Sequence, residues 1–181
     1  MANRTNYINR DAKIIQHLLK DDGIFPNSIF PVLVYKRVFL LPRNNSASLV
    51  EDALAANNWT NSWRNGIYNF HHYHSITHEV LVVYSGTCHV IMGGDEGIEF
   101  DIEKGDALII PAGVAHKNLG SSENFKCIGA YPGGSNFDMN YGKAGERPGA
   151  DHNISQVALP INDPIFGKDG PLLRCWIRRP A

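Results

Sequence analysis

The sequence predicts an all-β barrel or sandwich with short N-terminal helices and extended terminal arms, and three observations predict it. From residue 59 onward, short apolar stretches alternate with glycine and polar turns: GIYNFHHYH, EVLVVYSG, TCHVIMGG, IEFDIEKGD, ALIIPAG and FKCIGAYPGG. Strands of that length and spacing, punctuated by turn residues, favour an all-β architecture. The chain has 181 residues, enough for one domain with a core of its own. Its composition, 43% hydrophobic and 19% charged, is that of an ordinary globular domain.

The elements follow in order. DAKIIQHLLK (11–20) carries apolar residues at 14, 15, 18 and 19, which is helical spacing, and DDG closes it with a glycine stop. FPVLVYKRVFLL (30–41) is β-branched and aromatic and reads as a strand, and PRNNS then turns the chain. SLVEDALAANN places Ser48 and Glu51 in capping-box spacing, which predicts a second short helix. After residue 133 the chain is rich in Gly, Asn, Asp and Pro, and PLLRCWIRR reads as one last strand. The organisation expected is a single domain over 1–181: an N-terminal arm (1–64), a barrel core (about 65–135) and a C-terminal arm (about 136–181). The strand-like arms have no evident partner inside a minimal barrel, and sheet edges need protection, so a homodimer is expected.

Composition removes several function classes. Net charge is −1 and the sequence pI is about 6.7, so there is no basic footprint for nucleic acid. The basic end, RCWIRRP, reads as a strand with a solvated tail. MANRTNYINRDAKIIQ holds no apolar leader segment, and no apolar run reaches membrane-spanning length, so no membrane partner is expected. Cys88, Cys127 and Cys175 are odd in number, far apart and outside any CxxC, which fits free thiols in a reducing cytoplasm.

The chemistry concentrates in HHYHSITHE (71–79), which holds four of the eight histidines. In a strand, residues i and i+2 share a face, so His72 and His74 would point one way, with Tyr68 and Phe70, and His71 and Tyr73 the other. Glu79, at the start of the next strand, can return opposite the pair. His116, after the apolar stretch GDALIIPAGVAH, can be brought in from a distant strand. Three imidazoles and a carboxylate suit a divalent transition metal (iron, manganese, zinc or nickel) rather than magnesium or calcium. A histidine pair on a strand face also occurs as solvated polar surface, and the pair alone leaves both readings open.

The order of these residues resembles a known pattern. Gly66, five residues, His72, one residue, His74, four residues, Glu79, six residues and Gly86 match the first motif of the cupins. Gly105, five residues, Pro111, one residue, Gly113, two residues and His116 match the second. FHHYHSITHEVLVVYSG, GAYPGG and DPIFGKDGPLLRCW further resemble stretches of the YjlB-like single-domain cupins. The resemblance implies a double-stranded β-helix, a form of jelly-roll barrel, with metal ligands at His72, His74, Glu79 and His116. It implies no particular reaction. One departure is local: the second motif usually has asparagine four residues after its histidine, where this chain has Gly120, with Asn118 two residues earlier. Gly86 and Gly105 stand at strand boundaries where a tight turn needs positive φ.

Other residues take lesser roles in this reading. Tyr68 and Phe70, with Leu81 and Val83, are expected to wall a pocket beside the ligands, Leu81 and Val83 being plain core. His71 is expected at the surface or behind the ligands, and His78 is a candidate proton shuttle at the pore mouth. His17 and His89 read as surface residues, and His152 as a loop residue. Trp59 and Trp63 read as packing for the N-terminal arm. HE at 78–79 does not continue to HExxH, because position 82 is Val, and no Walker loop or GxSxG elbow is present.

Three function classes are compatible with this pattern. The first is a metal-dependent enzyme on a small organic acid or related molecule, either an oxygenase or a sugar isomerase or epimerase. Glu79 argues against the thiol dioxygenases, which use three histidines. The second is a non-catalytic cupin holding a small ligand. A storage role fits least, since storage cupins lack the full ligand set.

Overall fold

The inner strands of this protein's large sheet are buried on both faces, and that burial accounts for the sequence's continuous apolar runs. A computed structural model describes residues 7–177. The strands are β1 (Lys13–His17), β2 (Val32–Lys36), β3 (Trp59–Asn65), β4 (Glu79–Ser85), β5 (Thr87–Met92), β6 (Ile98–Glu103), β7 (Ala107–Ile110), β8 (His116–Ser121) and β9 (Lys126–Pro132). The helices are α1 (Ser46–Ala56), α2 (Gly149–Gln156) and α3 (Pro171–Cys175). Six strands form one sheet in the order β1-β2-β7-β4-β9-β3, and three form another in the order β6-β5-β8. Every strand pairing is antiparallel, as the all-β jelly-roll reading requires.

The period-two rule sorts the side chains cleanly. Val32, Val34, Leu81, Val83, Leu108, Ile110 and Cys127 meet Val90, Met92 and Ile102 of the small sheet in the barrel interior. Their strand neighbours Leu33, Tyr35, Val80, Val82, Ile109 and Ala130 form a second core on the outer face. That outer face is covered by Val50 and Leu54 of α1 and by Ile165, Leu172 and Trp176 from the C-terminal segment. EVLVVY and ALII therefore need no polar alternation. The small sheet has one wet face and does alternate: β6 buries Ile102 while Glu99, Asp101 and Glu103 stay exposed.

Three local expectations change. Residues 13–17 are a strand, not a helix: β1 pairs with β2, Ile15 opposite Val34. Ile14 packs on the outer core and Ile15 on the inner one. Adjacent isoleucines serve a two-faced strand as well as a helix stripe, and an available sheet edge decides the matter. PLLRCW is also not a strand. Pro171 opens α3 at the first helical position, where its missing N–H costs nothing. The turn before it is organised by Asp163, whose carboxylate accepts the Ile165, Phe166 and Leu172 amides and the Tyr35 hydroxyl. The end of that expected strand, residues 178–179, lies outside the described residues. Finally, α1 starts at Ser46 rather than at a Ser48 cap. Ser48 and Glu51 lie within the helix and face Arg64, whose guanidinium donates to both Glu51 oxygens at 2.8 and 2.6 Å.

Trp59 and Trp63 belong to β3, an edge strand of the large sheet; Trp59 packs with Val50 and Leu54 of α1, as expected of packing for the N-terminal arm, whereas Trp63 does not and lines the cavity. Gly86 and Gly105 both adopt positive φ, 71° and 98°. At Gly86 the space is closed as well, since a Cβ would stand 2.7 Å from the Phe125 backbone. Gly86→Val therefore combines about 1–3 kcal/mol of backbone strain with a backbone clash, in a domain holding about 5–15 kcal/mol. Thermal unfolding should show a large loss of stability or no cooperative transition.

Candidate metal centre

Residues 72–74 are extended, but they are held by single bridges rather than by a full ladder. His72 and His116 exchange backbone hydrogen bonds (3.2 and 2.9 Å), and the Gly113 amide donates to the His74 carbonyl (2.8 Å). On the other side Tyr73 exchanges hydrogen bonds with Asn140 (2.9 and 3.0 Å). The alternation expected of a strand survives without a regular strand. His72 and His74 face inward. Tyr73 turns away and is buried against Phe25, and His71 turns with it, its Nε2 2.8 Å from Asp95.

His72, His74 and His116 converge. Their ligating atoms lie within 4.8 Å of one another, and all three side chains are buried. Glu79, the first residue of β4, projects among them, with Oε2 3.4 Å from His74 Nε2 and 3.5 Å from His116 Nε2. Its Oε1 accepts the Tyr131 hydroxyl at 3.1 Å, whereas Oε2 is buried with no hydrogen-bond partner. An orphaned buried carboxylate oxygen is costly unless a cation is close.

The outer nitrogens fix the tautomers. His72 Nδ1 lies 3.1 Å from the Phe70 carbonyl, His116 Nδ1 3.1 Å from the Val114 carbonyl, and His74 Nδ1 2.5 Å from the Asp138 carbonyl. A carbonyl only accepts, so each Nδ1 carries a proton and each ring, when neutral, has a bare Nε2, those of His74 and His116 lying toward Glu79. Three convergent Nε2 lone pairs and one unpartnered carboxylate oxygen fit a divalent transition metal.

Charge in the centre is coupled. Burial, then His116, pulls the His72 imidazole down to about 3, so it is neutral at ordinary pH. Burial also pulls His74 down, but the Glu79 carboxylate and the bond to Asp138 outweigh it and leave His74 raised. Burial pushes the Glu79 carboxyl up, yet His74 and His116 outweigh it and hold it below the usual carboxylate range. Without a metal, a proton on His74 balances Glu79.

The site lies in a cavity of about 300 Å³ walled by Trp63, Tyr68, Leu81, Tyr131, Phe137 and Met139. Tyr68 is half exposed at its mouth, and Phe70 stacks on Tyr68 (centroids 4.8 Å apart) outside the lining. Val83 sits deeper in the barrel core. His78 is not at the pore mouth: it points to the outer face, accepts the Ala112 amide on Nδ1 (2.9 Å) and tilts against Trp176. Parity from Glu79 puts it there. His89 lies on the outer face of β5 between Asp101 and Glu99, His17 stacks on Phe100 from β1, and His152 belongs to α2 rather than to a loop.

Sequence reasoning missed four residues. Tyr131 could have been found by alternation, since Cys127, Gly129 and Tyr131 share one face of β9. Trp63, opposite Gly129 in the neighbouring strand, could then have been placed by pairing. Phe137 and Asp138 lie in an irregular loop that carries no periodic signal. Asp138 holds the His74 segment, its carboxylate accepting the Ser75 amide (2.7 Å) and hydroxyl (2.5 Å).

The cupin domain family matches residues 65–127. The uncharacterised protein YjlB of Bacillus subtilis (strain 168) is 43% identical over 163 residues, spanning 90% of this chain and 96% of YjlB. The chain is a YjlB-like cupin. Among solved structures, this cupin is similar to a DUF861 family protein of Thermotoga maritima, at 23% identity over 54% of this chain and 96% of that one, with a TM-score of 0.33. It is also similar to an acireductone dioxygenase of Bacillus anthracis, at 14% identity over 65% of this chain and 77% of that one, with a TM-score of 0.38.

Metal binding by this cupin should depend on pH through His74. Its proton must leave before Nε2 can coordinate, so protons compete below its pKa, which lies above the usual 6.5. Affinity should fall about tenfold per pH unit from that point downward. His72, already neutral, adds nothing until strongly acidic pH. Metal retained after dialysis against a weak chelator, read between pH 8 and 5, checks this.

Proposed function

We propose that this cupin is a metal-dependent enzyme, an oxygenase acting on a small organic acid or related small molecule. His72, His74, Glu79 and His116 hold one divalent transition metal. The observation that carries the reading is the convergence of the His72, His74 and His116 ligating atoms within 4.8 Å of one another, with the unpartnered Glu79 Oε2 3.4 and 3.5 Å from two of those rings, beside an accessible cavity. A closed structural site would offer no such access. When bound, the metal supplies redox and Lewis-acid chemistry to an oxygen-bearing substrate.

The protein's own groups do the rest. The three carbonyls behind the histidines hold a proton on each Nδ1 and so keep each Nε2 aimed into the centre. Tyr131 holds Glu79 through Oε1, which leaves Oε2 for the metal. Burial and the adjacent carboxylate push the Tyr131 phenol above its usual range, so it stays a donor rather than a base. Leu81 and Trp63 restrict water around the centre.

The assembly and location proposed are a homodimer in the cytoplasm. The outer edge of β1 supports the first, and three free cysteines support the second. Among the described residues no helix is long and apolar enough to cross a membrane.

Elemental analysis of protein purified without added metal should give about one transition-metal ion per chain. His74→Ala should lose most of that metal and keep a cooperative melt, because it removes one of four donors while leaving the hydrophobic cores on both faces of the large sheet intact. Full occupancy in His74→Ala would contradict the ligand set. Absence of oxygen uptake by the metal-loaded protein with every enol and hydroxy acid tried would contradict the oxygenase.

A further inference from the structure

Two stacked aromatic pairs flank the cavity, each seated edge-on against one histidine of the centre. Tyr68 and Phe70 stack at 4.8 Å and 18° and meet His72 at 5.2 and 5.7 Å. Tyr131 and Phe137 stack at 5.0 Å and 21° and meet His74 at 6.2 and 5.2 Å. Trp63 closes the wall between them. Its indole N–H donates to the Tyr131 hydroxyl at 2.8 Å, and its ring lies over Gly129, where a Cβ would stand 2.2 Å away. Trp63 is thus held from two directions. Tyr68 and Phe137 remain 51% and 43% exposed, so ring surface at the mouth is open to a ligand.

Charge in the cavity narrows the choice further. Apart from the histidines, Arg64 is the one cationic residue among the described residues of the lining, and its guanidinium is engaged by Glu51 on α1. A divalent ion on one carboxylate leaves a single net positive charge. One anionic ligand oxygen neutralises that charge. A dianion would leave a buried negative charge with no cation to pair with.

We infer that the substrate is a planar conjugated ring with an ionisable hydroxyl, a phenol or cyclic enol bound as a monoanion, its ring faces held by Tyr68 and Phe137. This rests on the metal centre proposed above and narrows its substrate class from small organic acids in general. Aromatic walls favour a flat π-system over a saturated ring of the same shape.

The test uses zinc, which is redox-silent, so that binding is read without turnover. Zinc occupancy is first measured by elemental analysis. Titration calorimetry then compares catechol, cyclohexane-1,2-diol and oxalate, with the change in tryptophan fluorescence, lost in Trp63→Phe, as a second readout. Catechol should bind at least about tenfold more tightly than either of the others. Phe137→Ala and Tyr68→Ala, both at exposed positions, should each weaken catechol binding about three- to tenfold with zinc occupancy unchanged. Oxalate binding as tightly as catechol, or catechol affinity unmoved in both variants, would overturn the inference. Failure of the protein to hold zinc would count against the metal centre instead. The preference of catechol over cyclohexanediol, measured on metal-free protein, then still tests the walls, and its absence there would overturn the inference too.

Discussion

A single carboxylate, Glu79, is almost wholly buried, with 2% of its surface exposed, and much of the molecule serves to make that position tolerable. A buried charge of this kind persists only if opposite charge and hydrogen bonds are supplied on the spot. Here they come from four places far apart in sequence: the 72–74 segment, the start of β8, the end of β9 and the loop after it. Only a barrel whose strands interleave remote segments can deliver them to one point. Glu79 opens the strand that pairs with both β7 and β9, so its position is fixed from two sides.

The double burial of the large sheet is the other half of the design. Interior packing alone would leave the outer face of β2, β4, β7 and β9 wet and apolar. Helix α1 and the C-terminal turn-and-helix cover it, the latter clamped by Asp163, whose carboxylate has no solvent exposure. Trp176 completes the cover and donates its indole N–H to the Pro31 carbonyl. The segments outside the barrel core therefore act as structural cladding, which explains why the late stretch DPIFGKDGPLLRCW has so specific a composition.

The parts legible from sequence were those governed by local rules. Alternation placed His72, His74, His71 and Tyr73 on their correct sides even though the segment lacks a regular ladder. Two glycines at strand boundaries adopt the positive φ expected of them. What was not legible depended on pairing across the chain. Nothing local distinguishes a helix at 11–20 from an edge strand, because Ile14 and Ile15 suit either, and the choice belongs to β2. Trp63 had no meaning until β3 was set against β9. Phe137 and Asp138 sit in a loop whose shape is written by hydrogen bonds to Ser75 and His74, and no periodicity reports that.

That loop has a further consequence. Phe137 faces the cavity, while the next residue, Asp138, gives its carbonyl to His74 and its carboxylate to Ser75. The wall that meets a ligand and the prop that aims an imidazole are thus adjacent links of one chain. Truncating the Phe137 ring leaves the prop in place, but a substitution that reshapes the wall by moving the backbone must also move the prop. On the opposite side Tyr68 stands four residues before His72 and reaches it through its ring, which is stacked on Phe70. The cavity therefore has one side where the backbone is latched to a histidine and one where the coupling runs through ring stacking.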